Sequence, residues 1–436
     1  MNVSVFGLGK LGSPMAALFA AAGHTVFCVD RNPEFLEAIR QRRAPVQEPG
    51  LQELIDQHGD RLIPIATERA SEAVRLSDFA FLMVPTPSLP DGSFSNEHLL
   101  DCLRPIGEAI RQESRVHVVV TSTTSPGECD ATLVPALDAI TGRKAGIDHG
   151  FSYNPEFIAL GSVVANMRKP DFVLIGSAAQ RHAVELRQFY QGVYSALVET
   201  WPRFALMNLL NAEISKLAVN CYTTMKISYA NQLGTLCEAL PGADAHVVCR
   251  AIGMDSRIGT KYLCPATTFS GPCLPRDNRA MLEAVRRAGG EAPLCHATTA
   301  VNEQQWQKIE RLILSAKPQN LAFLGLSYKP DTAVTEESMA ERIIGRFAPV
   351  ATYPILVHDP LAKTAHPVTQ CRSARDAVRG ADVVLIATDH PEYRLMERHW
   401  FLRSALIIDC WDVLGQNPQF DGARRWVPGK GATWIA

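Results

Sequence analysis

The sequence predicts an α/β protein with two doubly wound, parallel-sheet domains, joined by a long central helix and a helical middle domain. Short apolar runs, each typical of a buried strand, alternate with helical patterns at both ends of the 436-residue chain. Between these regions lies a stretch with helical periodicity and no strand pattern. A glycine-rich turn directly after the first strand indicates a nucleotide-binding sheet.

Each α/β region carries four buried strand patterns. The first set lies at 2–6, 24–30, 79–84 and 117–121, and the second at 320–325, 355–359, 382–387 and 405–409. An alanine-rich helix is expected at 9–22, directly after the first strand. Strands that alternate with helices in this way predict parallel sheets with helices on both faces.

The middle of the chain is predicted to be all-helical. Residues 204–240 contain no proline and keep helical periodicity throughout, which predicts one long helix. Further helices are expected at 243–253, 276–289 and 298–315. The predicted domains are therefore an α/β domain at 1–200, a helical domain at 201–300 and a second α/β domain at 301–436.

Composition excludes several classes of function. Lys plus Arg number 43 and Asp plus Glu number 45, so general binding to nucleic acid or to a membrane surface is not expected. No apolar run approaches the roughly 20 residues of a membrane span, and no signal-peptide pattern is present. The eleven cysteines lack regular spacing, which predicts reduced thiols, no metal site and a cytoplasmic protein.

Residues 7–12, Gly-Leu-Gly-Lys-Leu-Gly, fit the G-x-G-x-x-G pattern between a strand and a helix. Gly7 permits the tight turn, Gly9 lets backbone approach a pyrophosphate, and Gly12 lets helix pack on strand. The helix N-terminus that follows attracts negative charge. This context predicts a Rossmann-like, dinucleotide-binding domain.

The cofactor is predicted from the acid that ends the second strand. Asp30 can accept hydrogen bonds from ribose hydroxyls and would repel a 2′-phosphate, which favours NAD, although Arg31 leaves NADP open. The second α/β domain has Gly325 after its first strand but no full glycine pattern. That domain is expected to bind a different nucleotide, or none.

Cys273 lies in the segment Phe-Ser-Gly-Pro-Cys-Leu-Pro-Arg-Asp at 269–277. Pro275 suits the first turn of a helix, which places Cys273 at a helix N-terminus. The helix dipole and Arg276 would lower the pKa of a thiol there. A thiolate can attack an aldehyde to form a thiohemiacetal, which loses a hydride to become a thioester that water hydrolyses. Without helper groups, a buried and inert cysteine is the alternative.

The long helix and two strand ends supply candidate helpers. Glu213, Lys216 and Asn220 fall on one helix face, where a lysine and an amide could hold a developing oxyanion. The alternative for this trio is a solvated helix face. Glu156 adds a carboxylate in an Asn-Pro-Glu-Phe turn, and 121–123 add hydroxyls at the carboxyl end of a strand.

These motifs, in this order, resemble the UDP-glucose/GDP-mannose dehydrogenase family over the whole chain. Further matching segments are Glu-Pro-Gly-Leu at 48–51, Val-Pro-Thr-Pro at 84–87, Lys226 with Asn231, Arg-Ile-Gly at 257–259 and Gly-Leu-Ser-Tyr-Lys at 325–329. The segment at 142–148 and the Cys-Leu-Pro run most resemble the GDP-mannose 6-dehydrogenase branch. The resemblance implies NAD-dependent, four-electron oxidation of the C6 alcohol of a nucleotide-sugar to the carboxylate.

The family also implies site residues. Catalytic candidates are Cys273, Lys216, Asn220, Asp277, Glu156 and Thr123. Cofactor-binding candidates are Gly7, Gly9, Leu11, Gly12, Asp30, Thr86 and Thr123. Substrate-binding candidates are Glu156, Lys216, Asn220, Arg257, Tyr262 and Lys329. By the same resemblance, 1–200 would bind NAD, 201–300 would form a homodimer through the long helix, and 301–436 would bind the nucleotide-sugar.

In the family, Cys273 would be the nucleophile and Lys216, helped by Asn220, would stabilise the oxyanion. Asp277 would orient water or act as a base together with Thr123. Glu156 would assist thioester hydrolysis. These roles come from the resemblance alone.

The chain departs from the family pattern at several positions, and three of these departures motivate an alternative function. Pro272 replaces a residue with a backbone N–H before the nucleophile, Leu160 replaces an acid, and Glu336 replaces an arginine expected near phosphate or cofactor. These changes keep open a non-catalytic or altered-specificity nucleotide-sugar-binding protein. A two-electron β-hydroxyacid dehydrogenase is another alternative, but it gives Cys273 and the second α/β domain no role.

Overall fold

The computed structural model describes residues 1–112, 115–158, 161–198 and 201–430. The chain divides into two compact units, Met1–Ala218 and Val219–Ala436. Each unit contains one mainly parallel sheet with buried hydrophobic side chains on both of its faces. The predicted fold class, with two Rossmann-like sheets, is confirmed.

Eight strands form the sheet of the first unit. They are β1 (Asn2–Phe6), β2 (Thr25–Asp30), β3 (Leu62–Ala66), β4 (Phe79–Leu82), β5 (His117–Val120), β6 (Phe151–Tyr153), β7 (Phe172–Ser177) and β8 (Arg203–Met207). Their order is β3-β2-β1-β4-β5-β6-β7-β8, and neighbours are parallel except for β6 and β7. The order reverses direction between β1 and β4, where open sheets of this kind bind ligands at the carboxyl ends of their strands.

Helices cover both faces of this sheet. They are α1 (Gly12–Ala21), α2 (Pro33–Arg40), α3 (Leu51–His58), α4 (Ala70–Arg75), α5 (Glu97–Arg111), α6 (Val134–Thr141), α7 (Val163–Arg168) and α8 (Gln180–Leu197). In β1, Val3 and Val5 join one core while Phe6 joins the other. A strand that is buried on both faces of a sheet is mostly apolar, instead of alternating strictly between apolar and polar residues. This pattern predicted β1.

Helix α9 (Leu209–Glu238) spans 30 residues and crosses the division between the two units. Asn208 accepts a hydrogen bond from the backbone N–H of Asn211 at 2.9 Å, as a helix-capping residue does. The predicted start of this helix at residue 204 is wrong, because residues 204–207 belong to β8 and pair with β7. Periodicity alone does not separate a short apolar strand from a helix, so the neighbouring strand decides.

Six parallel strands form the sheet of the second unit. They are β9 (Leu321–Leu324), β10 (Ile355–His358), β11 (Thr369–Gln370), β12 (Val383–Ile386), β13 (Leu406–Asp409) and β14 (Arg425–Trp426). Their order is β11-β10-β9-β12-β13-β14. The other helices of this unit are α10 (Ala245–Gly253), α11 (Leu274–Arg287), α12 (Pro293–Ser315), α13 (Met339–Phe347) and α14 (Ala374–Val378).

Two predicted helix starts need correction. Helix α1 begins at Gly12 rather than at residue 9, because residues 9–11 remain in the glycine turn. Helix α12 begins at Pro293 rather than at residue 298, since proline is favourable in a first helical turn. Among the described residues, no helix combines the length and apolarity needed to cross a membrane.

Candidate active site

The turn between β1 and α1 shows why its three glycines are needed. Gly7 has a φ of +94°, and a Cβ there would lie 2.5 Å from the backbone oxygen of Met83. A Cβ on Gly12 would lie 1.8 Å from the backbone oxygen of Gly7. A Cβ on Gly9 would instead enter open space. Packing therefore explains why glycine is needed at positions 7 and 12. Gly9 instead leaves open the side of the turn from which a pyrophosphate would approach.

Asp30 lies at the carboxyl end of β2, beside this turn. Its carboxylate accepts hydrogen bonds from the backbone N–H of Leu8 at 2.6 Å and of Asn32 at 2.7 Å, one on each oxygen. Each carboxylate oxygen can accept more than one hydrogen bond, so both can still take a ribose hydroxyl. Arg31 is exposed. The turn and its acid thus fit a dinucleotide with an unphosphorylated ribose.

The second unit has a similar turn after β9, but the carboxylate of the corresponding acid, Asp359, already accepts hydrogen bonds from protein groups. The backbone N–H of Gly325 bonds to His358 at 2.8 Å, and the N–H of Leu326 bonds to the Asp359 carboxylate at 2.8 Å. Asp359 also contacts the His390 ring at 3.1 Å. Although burial opposes the shift, hydrogen bonds from the His390 ring and from the backbone N–H groups of Ser327, Leu361 and Ala362 hold the pKa of Asp359 well below its usual range. The second turn therefore lacks an acid that is available to a ribose.

Thr86 and Thr123, both predicted cofactor contacts, lie next to each other beyond β4 and β5. The Thr86 hydroxyl donates to the backbone oxygen of Thr123 at 2.8 Å. Thr121, at the end of β5, has a buried hydroxyl without a hydrogen-bond partner in the described part of the chain. The structure thus gathers these hydroxyls at the carboxyl ends of adjacent parallel strands, where ligands bind.

Glu213 on α9 is fully buried, so the alternative of a solvated helix face is wrong for this part of the helix. Its carboxylate accepts hydrogen bonds from the Thr124 hydroxyl at 2.9 Å and from the backbone N–H groups of Gly127 at 2.7 Å and Cys129 at 2.9 Å. Burial raises the pKa of Glu213, and these bonds oppose the shift. Glu213 fixes the loop that follows Thr123.

Lys216, one turn further along α9, is also buried. Its ammonium donates to the backbone oxygen of Glu156 at 2.8 Å and lies 4.8 Å from the centre of the Phe157 ring. An ammonium has three N–H donors, so this bond leaves capacity for a substrate oxygen. Burial raises the pKa of the Glu156 carboxyl to about 8, although Lys216 opposes the shift. Leu160 lies outside the described residues.

Cys273 occupies the N-cap of α11, with Pro275 in the first turn, so its predicted place at a helix N-terminus is confirmed. Its backbone oxygen accepts a hydrogen bond from the N–H of Asp277 at 2.8 Å. The Asp277 carboxylate is fully buried, and it accepts from the Asn220 amide at 2.6 Å and from Arg276 at 3.3 Å. Through Asp277, hydrogen bonds therefore link Asn220 on α9 to the first turn of α11, which begins at Cys273.

The loop before Cys273 packs against an aromatic ring that sequence reasoning missed. Gly271 has a φ of +82°, and a Cβ there would lie 2.6 Å from the Tyr328 ring. Burial, with a contribution from the charge of Cys273, raises the pKa of Tyr328. The backbone N–H of Gly271 donates to the backbone oxygen of Glu336 at 3.1 Å, while the Glu336 side chain is exposed. The glycine next to Pro272 was the available signal for this close approach.

The other predicted substrate contacts lie in loops of the second unit. Arg257 is exposed and pairs with Asp255 at 2.6 Å. Tyr262 has a φ of +62° and is 58% exposed, and Lys329 is half-buried. Lys226, whose motif had no assigned role, donates to the backbone oxygen of Gly259 at 3.1 Å and so supports the loop after Arg257.

Comparison with known proteins identifies the family of the chain. The UDP-glucose/GDP-mannose dehydrogenase family is described by three domain models, and all three match the chain. The NAD binding domain matches residues 1–194, the central domain 210–304 and the UDP binding domain 322–416. The chain belongs to this family. The NAD binding domain confirms the predicted cofactor, and the UDP binding domain agrees with a nucleotide-sugar as the ligand.

Individual members of the UDP-glucose/GDP-mannose dehydrogenase family match over most of their length. The chain is 31% identical over 435 residues to the UDP-glucose 6-dehydrogenase AglM of Haloferax volcanii, covering 97% of this chain and 99% of that protein. It is 31% identical over 353 residues to the GDP-mannose 6-dehydrogenase of Pseudomonas putida, covering 79% of each. A UDP-glucose dehydrogenase structure from Pyrobaculum islandicum superposes with a TM-score of 0.87 at 30% identity, covering 99% of this chain and 98% of that one.

Proposed function

We propose that this member of the UDP-glucose/GDP-mannose dehydrogenase family is an NAD-dependent nucleotide-sugar 6-dehydrogenase. It would oxidise a C6 alcohol to the aldehyde and then to the carboxylate. The observation that carries the proposal is Cys273 at the N-terminus of α11, directly ahead of the buried Asp277, whose carboxylate accepts a hydrogen bond from the half-buried Asn220 amide. A two-electron β-hydroxyacid dehydrogenase would have no use for this thiol or for the UDP binding domain at 322–416.

NAD, when bound at the glycine turn, supplies the hydride acceptor for both oxidations. The Cys273 thiolate attacks the aldehyde carbon and forms a thiohemiacetal. Loss of a hydride from that carbon leaves a thioester on Cys273, and water cleaves it to the carboxylate and the free thiol. Lys216 and Asn220, one turn apart on α9, donate hydrogen bonds to the oxygen that gains negative charge. Asp277 holds the Asn220 amide in place.

Thioester hydrolysis is expected to depend on pH through Glu156, whose pKa lies at about 8. A carboxyl acts as a base only when deprotonated, so below that pH the rate should rise about tenfold per pH unit and then level off. Turnover measured between about pH 6 and 10, at saturating NAD and sugar, checks this. In Glu156→Gln the rising limb should disappear. A wild-type rate that does not change through pH 8 would contradict the role of Glu156 as a base. So would a Glu156→Gln variant whose rate still rises with pH.

Cofactor choice is expected to depend on Asp30. Asp30→Asn removes the charge that repels a 2′-phosphate and weakens the ribose hydrogen bonds. KM for NAD should rise roughly tenfold or more, since hydrogen bonds to a charged group contribute about 1.5–3 kcal/mol. The preference for NAD over NADP should fall at the same time. Initial rates with both cofactors measure this, with the exposed Glu34→Gln as the control. An unchanged preference would remove Asp30 from the cofactor site.

We also propose that the protein is a homodimer formed through α9, and that it acts in the cytoplasm. Large apolar side chains are exposed along this helix at Leu210, Ile214, Tyr222, Tyr229 and Leu236. Several large apolar side chains exposed on one helix support an interface. Light scattering should give twice the chain mass of 47.8 kDa. All eleven cysteines are free thiols, which suits a reducing compartment.

The domain assignment is part of the same proposal. Residues 1–200 would bind NAD, 201–300 would dimerise and 301–436 would bind the nucleotide-sugar. Arg257, Tyr262 and Lys329 are proposed as substrate contacts, because each lies in a loop of the second unit.

The ratio of NADH formed to sugar consumed tests the reaction. Purified protein is incubated with NAD and a panel of UDP- and GDP-sugars, beginning with UDP-glucose because of the full-length Haloferax volcanii match. Two NADH per sugar is expected. One NADH per sugar would indicate a two-electron dehydrogenase. None, despite measurable binding, would favour the non-catalytic alternative raised by Pro272 and Glu336.

A further inference from the structure

A cleft of about 530 Å³ lies in the first unit, at the amino ends of β4 and β5. Phe79 and His117, the first residues of these strands, line it, and Glu185 and Phe189 line it from α8. The glycine turn lies at the carboxyl end of β1 in the same parallel part of the sheet, so the cleft is on the opposite edge. Its volume falls in the range of about 300–1,000 Å³ that small-molecule sites occupy.

His117 carries a hydrogen-bond acceptor that the protein does not use. Its Nε2 lies 2.8 Å from the Ser152 hydroxyl, which donates to the Ser177 hydroxyl at 3.0 Å, and Ser177 donates to the backbone oxygen of Phe151 at 3.1 Å. Both hydroxyl protons are committed in this way, so Nε2 carries the hydrogen that bonds to Ser152. A neutral imidazole has only one N–H, which leaves Nδ1 as an acceptor.

The Nδ1 atom of His117 is buried and has no hydrogen-bond partner in the described part of the chain. The Glu185 carboxylate lies 3.7 Å from it, which is too far for a hydrogen bond. Burial, with contributions from His182 and His149, lowers the pKa of His117 to about 3, so the ring is neutral at physiological pH. Two acceptors thus face each other. An amino group, with two N–H donors on one nitrogen, complements them, and the half-exposed Glu185 can adjust to it.

Four rings form a row along the cleft. His24, Phe189, Phe79 and His117 follow one another with centroid separations of 5.0, 4.9 and 5.2 Å. Flat apolar surface of this kind favours an aromatic ring in the ligand. Both ring nitrogens of His24 are also buried without a hydrogen-bond partner among the described residues. Polar groups of a ligand can therefore be bound at either end of the row.

The charged groups of the cleft lie at its mouth. His117 is 4% exposed, whereas Arg75 and Arg115 are exposed, and guanidinium groups bind phosphate well. Asp78 also lies there, and its carboxylate accepts a backbone hydrogen bond from the start of β1 at 2.9 Å. A ligand that fits has an amino group at one end, a flat ring in the middle and an anion at the other end. A nucleotide has this order of groups, whereas an amino acid carries its ammonium and carboxylate on one carbon.

We propose that this cleft binds a nucleoside monophosphate whose base carries an amino group, at a site separate from the glycine turn. The base lies against the row of rings, and its amino group donates to His117 and Glu185. The phosphate pairs with Arg75 and Arg115. The inference concerns binding alone, so it does not depend on the proposed dehydrogenase reaction.

Cytidine and uridine monophosphate are matched probes, because cytosine carries an amino group where uracil carries a carbonyl oxygen. Isothermal titration calorimetry of the full-length protein measures both, with UDP present to fill the UDP binding domain. Cytidine monophosphate should bind at least about tenfold more tightly, since uracil would present an oxygen to two acceptors. Cytidine without its phosphate should bind more weakly than the nucleotide. Uridine monophosphate that binds equally well, or no binding of either nucleotide, would overturn the proposal.

Two variants test whether the nucleotide binds in this cleft. His117→Phe keeps an aromatic ring against Phe79 but removes the acceptor, and it should weaken binding of cytidine monophosphate about tenfold or more. Arg115→Gln changes only an exposed side chain, so it should fold normally and weaken binding of the nucleotide more than that of cytidine. Arg104→Gln, which breaks an exposed pair with Asp101, is the matched control and should bind as wild type does. A melting curve identifies any folding defect in His117→Phe, and Arg115→Gln then decides alone. Unchanged nucleotide affinity in the folded variants would place the nucleotide elsewhere and overturn the proposal.

Discussion

Replacing Cys273 with serine is expected to abolish formation of the carboxylate while NAD binding persists. A serine hydroxyl is not ionised near neutral pH, so the helix N-terminus has no anion to present to the aldehyde. Loss of a covalent nucleophile lowers turnover on the order of 10⁴- to 10⁶-fold. The first oxidation does not need the thiol, so NADH per sugar should fall from two towards one. Coupled product analysis, with hydroxylamine to trap aldehyde, measures both outcomes.

Two controls make this result interpretable. Cys371→Ser removes another half-buried thiol of the second unit and should leave the stoichiometry at two NADH per sugar. Intrinsic fluorescence titration with NAD should give the same affinity for Cys273→Ser as for wild type. A serine variant that makes the carboxylate at the normal rate would disprove covalent catalysis by Cys273. Equal loss of NAD binding would instead indicate a folding defect.

The parts of the site that sequence could predict depend on local chemistry. Gly7, Gly9 and Gly12 lie where strand β1 passes into helix α1; the positive φ of Gly7 and the contact between Gly12 and the Gly7 backbone are reasons for glycine that act within this one turn. The helix start at Cys273 follows from Pro275 two residues later. Signals of this kind need no knowledge of the rest of the fold.

Other parts of the fold and of the site could not be predicted, because they depend on contacts between segments that are distant in sequence. Residues 204–207 look helical until β7 is placed beside them. Glu213 looks like an exposed helix residue until the loop at 124–129 covers it. Tyr328 and Gly271 are 57 residues apart by number, and only the folded chain brings the ring over the loop. Periodicity and propensity carry no information about such pairings.

Truncation of Glu213 to alanine is expected to destabilise the first unit more than any other change considered for it. The carboxylate satisfies three donors, namely the Thr124 hydroxyl and the backbone N–H groups of Gly127 and Cys129. Alanine leaves all three without an acceptor in a site that the helix seals from water. Removing one side of a buried, charged hydrogen-bond set costs about 3–5 kcal/mol. A melting transition lower by roughly 10 °C is expected.

The loop that Glu213 fixes begins beside Thr123, so the same change should also weaken NAD binding, and saturating NAD should restore part of the lost stability. Glu213→Gln keeps the shape and one acceptor oxygen, so its melting temperature should fall between those of alanine and wild type. Glu72→Ala, which breaks only an exposed pair with Arg69, should change little. If Glu213→Ala had the same melting temperature as wild type, water would be able to replace the three hydrogen bonds. The loop after β5 would then owe its position to the sheet alone.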